Sequence, residues 1–335
     1  MPWTFPMRTL ATTAFALALG AAAIPGGPAH AQDYPSKNIT IVVPLVAGTG
    51  MDAIARTYAD GLSKALGKPV VVENQPGATL TLAAQNVAKA VPDGHTLLVS
   101  ATLQMSAPQV LVKKVNYDHE KDFVPISIYL TSPFVLIVNP SSGVNSLREL
   151  IDRARATDAA PLTYATSGTG SFPHLVMEVM KRDHTFKADH VPYRNSGQII
   201  SDVLGGHVGA SMSETGAALG LIQEGKLKAL AITSAARIPS MPDVPTVAEA
   251  MKQPGYEAVS WHILAAPSAT PKPVVDRLVA EMARITAEPE FRKRVSTAGL
   301  IPRQPMSADE MQAYVKSERI RWSGWAKTLG IEPQQ

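Results

Sequence analysis

The sequence predicts an α/β fold in two domains, each a parallel sheet covered by helices. A strand, a glycine-containing loop and a helix follow one another around residue 48, and the same order returns around residue 168. Elsewhere short apolar strands alternate with helical patterns over short connections. This alternation is typical of parallel sheets with helical crossovers.

The first strand and helix flank residues 44–49. Ile39, Ile41 and Val43 belong to a β-branched run that Pro44 ends, because proline cannot donate to a sheet ladder. The helix that follows has apolar residues at steps of four, which are Ile54, Tyr58, Leu62 and Leu66. Such a loop directs free backbone N–H groups and the positive helix end at one point. It therefore suits a phosphate or a carboxylate.

The first 31 residues have the pattern of a targeting signal. Arg8 provides a positive charge, residues 9–24 an apolar stretch, and Ala29-His30-Ala31 a small-x-small cleavage site. We expect an exported, soluble mature chain that begins near Gln32. An uncleaved membrane anchor is the alternative, but glycine and proline at positions 25–28 interrupt the apolar run.

Composition excludes several classes of function. After residue 31 the chain has 30 basic and 28 acidic residues without a long run of like charge, which argues against nucleic-acid binding. It has no cysteine, so disulfides and cysteine-based metal sites are excluded. The length of 335 residues fits about two domains.

The first domain continues with two further strands. The sequence predicts a strand at residues 70–72, a helix at 79–90 and a strand at 95–101. The third strand leads into Ser100 and Thr102, whose hydroxyl groups then lie on the same sheet edge as the first glycine loop. Ligands of open α/β sheets bind at that edge.

Residues 123–139 are too long for one ordinary strand and contain Ser132-Pro133. We interpret them as one strand leaving the first domain and another entering the second. A helix at 147–156 has Ser146 as its N-cap and Glu149 as the partner in a capping box. The next predicted elements are strand 162–165, helix 171–182, strand 190–193, helix 196–204, strand 208–212, helix 216–224 and strand 227–233.

The last part of the chain has a strand at 256–266 and helices at 273–287, 288–298 and 307–329. We expect these elements to pack on the first domain. That domain then consists of residues 32–131 and 235–335, and the second domain of residues 132–234. The chain crosses between the domains near residues 131 and 234, and two crossings form a hinge.

The first loop has two other interpretations. Gly48-Thr49-Gly50-Met51-Asp52-Ala53 fits the dinucleotide-binding pattern G-x-G-x-x-A, and Glu73 ends the next strand. Four residues separate the strand from Gly48, however, whereas in that pattern the strand runs almost directly into the first glycine. A purely structural glycine turn is the second alternative.

Catalytic and metal sites have weaker patterns. Ser171, His174 and Asp183 are close in sequence, but the G-x-S-x-G elbow is missing, so Ser171 is better interpreted as a helix N-cap and ligand donor. An exported α/β hydrolase that uses the same cleft is the alternative function. His184 and His190 form no metal-binding motif, and no cofactor is expected.

Eight segments, which follow one another along the chain, resemble a known family. They are residues 33–39, 44–52, 69–77, 92–98, 164–175, 191–194, 204–206 and 242–246. Together they resemble the substrate-binding receptors of tripartite tricarboxylate transporters, the Bug-type family, over the whole mature chain. The resemblance implies a type II periplasmic-binding-protein fold, with two α/β domains, a hinge and an interdomain ligand cleft. It also implies a receptor in the periplasm, without catalysis.

The resemblance places the family's two carboxylate-binding loops at residues 45–52 and 166–171. Together with strand-end positions it gives the expected ligand-binding residues, which are Leu45, Val46, Gly48, Thr49, Gly50, Asp52, Ser100, Thr102, Thr166, Ser167, Thr169, Gly170, Ser171, His174, Ser213 and Trp261. The expected partners are a small organic carboxylate and the membrane components of a tripartite tricarboxylate-type transporter. The receptor is expected to be a monomer.

Two departures from the family pattern concern the ligand. Residues 45–49 read Leu-Val-Ala-Gly-Thr where the family usually has Phe-Ala-Pro-Gly-Gly, and Ser213-Glu214 stands where it often has an acid and an amide. The apolar first loop, with Met51, favours an aromatic or otherwise apolar carboxylate, and a dicarboxylate is the other possibility.

The far end of the ligand has seven candidate partners, which are Thr102, Gln104, Arg194, Ser213, Glu214, Trp261 and His262. Arg194 would favour a second carboxylate, Trp261 a flat ring and Glu214 an amino group. Trp261 fits the core as well as a pocket wall. Met51, Met105 and Met212 could line a pocket, but lone methionines more often fill the core.

Overall fold

One long strand, Phe123–Val138, joins two halves of a sheet in the computed structural model of the chain. The structure describes Met1 and residues 34–77, 80–110, 112–156, 161–193 and 196–331. The chain divides into two compact units, Met1–Tyr34 and Pro35–Gln335. Apart from Met1, the predicted signal at residues 1–31 lies outside the described residues. Everything below concerns the second unit.

The strands and helices alternate as predicted. In chain order they are β1 (Ile39–Val43), α1 (Gly50–Leu66), β2 (Val70–Asn74), α2 (Thr81–Ala88), β3 (Thr96–Ala101), α3 (Thr102–Ser106), β4 (Phe123–Val138), α4 (Leu147–Arg155), β5 (Leu162–Thr166), α5 (Phe172–His184), β6 (Ala188–Pro192), α6 (Ser196–Leu204), β7 (Ala210–Glu214), α7 (Thr215–Gln223), β8 (Lys228–Ile232), α8 (Val247–Met251), β9 (Val259–Pro267), α9 (Lys272–Ala287), α10 (Pro289–Thr297), β10 (Ile301–Pro302) and α11 (Ala308–Leu329). The short helices α3 and α8 have no counterpart in the sequence prediction.

The strands follow the order β2-β1-β3-β9-β4-β7-β5-β6, and both β10 and β8 also pair with β4. β1 is parallel to β2 and β3, and β5 is parallel to β6 and β7. β9 is antiparallel to both β3 and β4, and β4 is antiparallel to β7 and β8. Each half therefore has parallel strands on one side of the shared strand β4.

The strand β4 corrects the prediction of two separate strands. Its residues up to Pro133 pair with β9, and those from Phe134 onward pair with β7 and β8. The missing N–H of Pro133 is tolerated because the partner strand changes at that point. Thr233 N–H then donates to the Phe134 carbonyl at 2.9 Å, so the ladder resumes one residue later.

The cap of α4 also differs in detail from the prediction. Ser146 Oγ accepts from Glu149 N–H at 3.1 Å, as predicted for an N-cap. The Glu149 carboxylate, however, accepts from Asn145 N–H at 2.7 Å instead of from Ser146. The reciprocal bond of a capping box is thus shifted by one residue.

The last helix packs against both halves of the sheet. Helix α11 contacts α3 and β4, and its later turns contact α5. Trp322 of this helix is fully buried, with its ring 4.4 Å from that of Phe172 at the start of α5. The sequence analysis predicted that residues 307–329 pack on the first half alone. The contact with α5 was not predicted. No described helix is long and apolar enough to cross a membrane.

Candidate functional site: two loops at facing sheet edges

The first loop, residues 44–49, is closed by hydrogen bonds to α1. Gly48 N–H donates to the Asp52 carboxylate at 2.9 Å, and the Thr49 hydroxyl donates to the Val46 carbonyl at 3.0 Å. Thr49 is the N-cap of α1, and its Oγ1 accepts from Asp52 N–H at 3.4 Å. Gly48 has φ of +86°, where glycine is favoured. The sequence of this loop therefore fixes its shape.

Asp52 supports the loop from inside the protein. Its side chain is only 3% exposed, and its carboxylate accepts two hydrogen bonds from Arg56 and one from Asn74, all at 3.0 Å. Asn74 also donates to the Leu45 carbonyl at 2.8 Å. The hydrogen bond from Arg56 is the main cause that lowers the Asp52 pKa to about 2. With its oxygens occupied, Asp52 holds the loop, and we leave it out of the proposed ligand contacts.

The start of α1 keeps free donors next to an apolar surface. The first N–H groups of a helix have no partner within it. Those of Gly50 and Met51 find none among the other described residues either. Gly50 is exposed, and Val46 in the preceding loop is 57% exposed. The loop thus offers neutral donors for an anion and an apolar contact for the rest of a ligand.

The second loop, residues 167–170, has its own internal bonds. The buried Thr166 donates through Oγ1 to the Gly168 carbonyl at 3.2 Å and lies 2.6 Å from His190 Nε2. Gly170 N–H donates to His174 Nδ1 at 3.1 Å, and Ser171 N–H donates to the Gly168 carbonyl at 3.2 Å. The N–H groups of Gly170 and Ser171, two of the expected ligand-binding residues, are therefore used inside the protein.

Other donors of the second loop remain available. Among the described residues, Thr169 N–H makes no hydrogen bond, and the Thr169 side chain is half-buried. Ser171 precedes α5 as its N-cap by position, but its hydroxyl makes no capping bond and lies 3.5 Å from Thr166 Oγ1. Pro173 in the first turn of α5 has no N–H to satisfy.

A cluster of rings lies beside the second loop. The rings of His174 and His190 stack with centroids 4.0 Å apart, and Tyr164 stacks on His190 at 5.1 Å. Tyr164 donates to the Glu178 carboxylate, which also pairs with Lys181 at 2.7 Å. Burial lowers the pKa of His174, and burial together with nearby His174 lowers that of His190 to about 4. His174 therefore stays neutral at pH 7 and keeps its Nδ1 as an acceptor for Gly170.

The sheet topology points both loops toward the middle of β4. There, after Pro133, the strand changes its partner from β9 to β7 and β8, and we call this point the crossover. β1 and β3 run in the same direction as β4, so their carboxyl ends point toward residues 131–134. β5 and β7 run opposite to β4, and Glu214, the last residue of β7, pairs with Phe134. The carboxyl edges of the two half-sheets therefore face each other across the crossover. The two loops belong to these facing edges.

Several strand-end residues are buried and already bonded. Thr102 Oγ1 accepts from Trp261 N–H at 2.7 Å and lies 3.1 Å from Ser260 Oγ. Ser213 Oγ lies 3.0 Å from Ser211 Oγ. Ser100 is the exception, since its buried hydroxyl has no partner among the described residues.

Trp261 lies in the core of the first half-sheet. It is fully buried, and its indole N–H donates to Glu318 at 3.0 Å. We therefore omit Trp261 from the proposed site. His262 and Gln104 are buried as well, and burial lowers the pKa of His262 to about 4. Arg194 lies outside the described residues.

Sequence reasoning missed three residues that shape the loops, Arg56, Asn74 and His190. Arg56 was detectable, because it stands one helical turn after Asp52 and such pairs meet on a helix surface. Asn74 and His190 reach the loops only because β2 lies beside β1 and β6 beside β5.

Two cavities lie away from the loops. One of about 320 Å³ is bordered by α5, α11 and residues 253–257, and one of about 780 Å³ by α1, α9 and α10. Neither is lined by a residue of the two loops. We base the site on strand ends and free donors, because these features point to anion binding.

The fold and the paired loops define a solute-binding protein of the periplasmic type. Residues 54–331 match the family described as Tripartite tricarboxylate transporter family receptor. The chain belongs to this family. The matched region begins at Ile54, just after the first loop.

Solved structures give the same classification. Rpa4515 of Rhodopseudomonas palustris, determined with adipate, is 32% identical, with a TM-score of 0.82 over 90% of this chain and 100% of that chain. The periplasmic binding protein BugD is 32% identical, with a TM-score of 0.78 over 90% and 100%. MatC of R. palustris, with bound malate, is 30% identical, with a TM-score of 0.75 over 87% and 99%.

These similarities confirm the predicted Bug-type family and the two-domain α/β binding-protein fold. They also confirm the prediction of a receptor, since members of this family are solute-binding receptors rather than enzymes. The hydrolase alternative has no support. His174 Nδ1 accepts from Gly170 N–H instead of from Ser171, and Asp183 pairs with Arg182 at 2.7 Å.

Proposed function

We propose that this chain is an exported receptor that captures a small organic carboxylate between the two loops. It then delivers the ligand to the membrane components of a tripartite tricarboxylate-type transporter. The observation that carries the proposal is the pair of loops with free neutral donors at facing sheet edges. The adipate and malate in the structures of Rpa4515 and MatC support a carboxylate ligand.

The proposed contacts are made by uncharged groups. In or next to the two loops, the N–H groups of Gly50 and Thr169 have no partner among the described residues, and the Ser171 hydroxyl has only the 3.5 Å contact with Thr166 Oγ1. Hydrogen bonds to a charged partner contribute about 1.5–3 kcal/mol each. A few such bonds are enough to hold one carboxylate without a lysine or arginine. Leu45 and exposed Val46 favour an apolar group next to it.

Binding closes the two proposed domains about the two segments that join them. One is β4, and the other is the segment through which the chain returns to the first domain. The change of partner at Pro133 supports the first crossing near residue 131. Helix α8 packs on α4 and β8, which supports a second crossing close to Ala258, later than the predicted residue 234. The proposed domains are residues 32–131 with the chain from β9 onward, and residues 132–258.

We place the receptor in the periplasm, as a monomer without its signal. The description of BugD as a periplasmic binding protein supports this location, together with the cleavage pattern at Ala29-His30-Ala31. Intact-mass measurement of the exported protein should give a chain that begins near Gln32. A mass that retains residues 1–31 would contradict the cleavage.

A thermal-shift screen tests the function. It should include adipate, malate, citrate, aromatic acids and amino acids, with recovery of the ligand after binding. At a thousandfold excess over the dissociation constant, the expected stabilisation is about 4 kcal/mol, and the ligand should be recovered unchanged. Chemical conversion of the ligand that depends on Ser171 would overturn the receptor proposal.

A further inference from the structure

Glu214 is an exposed carboxylic acid at the point where the two half-sheets meet. It ends β7, and its backbone pairs with Phe134, the first residue of β4 after the crossover. The side chain is accessible to solvent. Desolvation by the surrounding protein atoms raises the pKa of the carboxyl group.

Among the described residues, the Glu214 side chain has no hydrogen-bond or ion-pair partner, and no charged neighbour contributes to its pKa. The adjacent side chains are polar but already bonded to other groups. Thr215 Oγ1 donates to the Pro133 carbonyl at 2.6 Å, and Ser213 Oγ lies against Ser211 Oγ. By contrast, exposed Glu249 pairs with Arg237 at 2.9 Å. Glu214 is a carboxylate that lacks a cation.

The backbone around Glu214 is closely packed. A Cβ added at Gly216 would lie 2.9 Å from the Ala298 carbonyl, and one added at Gly299 would lie 2.9 Å from Thr215 Cγ2. No side chain fits in either place. Glu214 therefore extends from a segment held between β4 and the turn after α10. Such a segment fixes the backbone from which the Glu214 side chain extends.

Glu214 lies at the same sheet edge as the second loop. β5 and β7 are parallel neighbours in which Ala165 is aligned with Ser211, so the second loop and Glu214 both follow at the carboxyl ends of these strands. A ligand carboxylate held by the second loop is therefore on the same edge of the sheet as the Glu214 carboxylate. Two like charges brought close together repel each other unless a positive group lies between them.

We propose that Glu214 selects ligands with an ammonium group next to their carboxylate, namely α-amino acids and closely related amino carboxylates. This inference rests on the proposed function. The loops hold the ligand carboxylate, Glu214 accepts from its ammonium group, and the apolar surface at Leu45 and Val46 contacts the remainder. Glu214 disfavours a dicarboxylate, because it repels the second negative charge.

Calorimetric titration at pH 8 tests the selection with pairs that differ in the amino group. The pairs are phenylalanine and 3-phenylpropanoate, leucine and 4-methylpentanoate, and glutamate and glutarate. The wild type should bind the amino member of at least one pair about tenfold more tightly or better. Glu214→Gln, which keeps the shape, should remove that preference. Glu224→Gln, at the other end of α7, should leave it unchanged.

The outcomes separate this inference from the proposed function. Equal or weaker binding of the amino member in every pair that binds overturns the role of Glu214 and leaves the receptor proposal standing. A preference that persists in Glu214→Gln also overturns it. Absence of binding by every carboxylate overturns both proposals.

Discussion

Asp52 and Arg56, one helical turn apart on α1, form a two-point ion pair with both nitrogen–oxygen distances at 3.0 Å. The same carboxylate accepts the Gly48 N–H of the first loop. A pair of exposed side chains on a helix usually contributes little. This pair differs because Asp52 is buried and ties the loop to the helix that follows it.

Asp52→Asn should weaken both the fold and ligand binding. The amide group of asparagine cannot accept all the hydrogen bonds from Gly48, Arg56 and Asn74, so the buried side chain at position 52 loses part of its hydrogen bonding and its charge. We expect a loss of about 2 kcal/mol in unfolding free energy. Urea unfolding and calorimetric titration measure the two effects. The control is Asp60→Asn, an exposed acid on the same helix, which should change neither quantity.

Acid should remove the contribution of Asp52. Its folded-state pKa, about 2, lies below its ordinary value of 3.8. The stabilisation is therefore fully present above pH 3.8 and is lost as the pH falls toward 2, with a total of about 2 kcal/mol. The difference in unfolding free energy between wild type and Asp52→Asn should shrink from pH 5 to pH 3. A difference that stays constant would show that the charge of Asp52 is unimportant.

Thr169→Pro should abolish carboxylate binding and leave the melting temperature nearly unchanged. Proline deletes the Thr169 N–H, which no described residue uses and which we assign to the ligand. Thr169→Ala keeps this N–H and is the matched control. Titration of both variants with the best carboxylate from the screen should show at least a tenfold difference. Equal affinity would mean that the second loop is only a turn.

His190 should make the fold less stable in mild acid. Its folded-state pKa is about 4, below the ordinary value of 6.5, because burial and His174 oppose its charge. The unfolded chain thus binds more protons between pH 4 and 6.5, and the unfolding free energy falls as the pH drops through that range. His190→Gln should reduce this slope in urea titrations at pH 7, 6 and 5. His207→Gln, at an exposed position, should not alter the slope.

Ligand binding should close the two proposed domains. Each loop provides only part of the hydrogen bonds to the anion, so the ligand gains affinity from the closed arrangement. The radius of gyration from solution X-ray scattering should fall when saturating ligand is added. An unchanged scattering profile at saturation would refute closure about β4.

The sequence by itself determined the strands, helices and loops near the site. The β-branched run before Pro44, the N-cap Thr49 and the glycines of both loops are local signals, and each acts within a few residues. Propensity, capping and glycine conformation depend mainly on neighbouring residues. For this reason β1 and α1 closely match the prediction, and the order of elements in both half-sheets was predictable.

Only the tertiary structure decided what individual side chains do. Asn74 lies 22 residues from Asp52 in sequence and 29 from Leu45, and it reaches both because β2 pairs with β1. The buried indole N–H of Trp261 finds its acceptor in Glu318, 57 residues away. The continuity of β4 depends on pairing with β7 and β9, which come later in the chain. The chain carries no local signal for such contacts, because they form only when distant strands and helices come together.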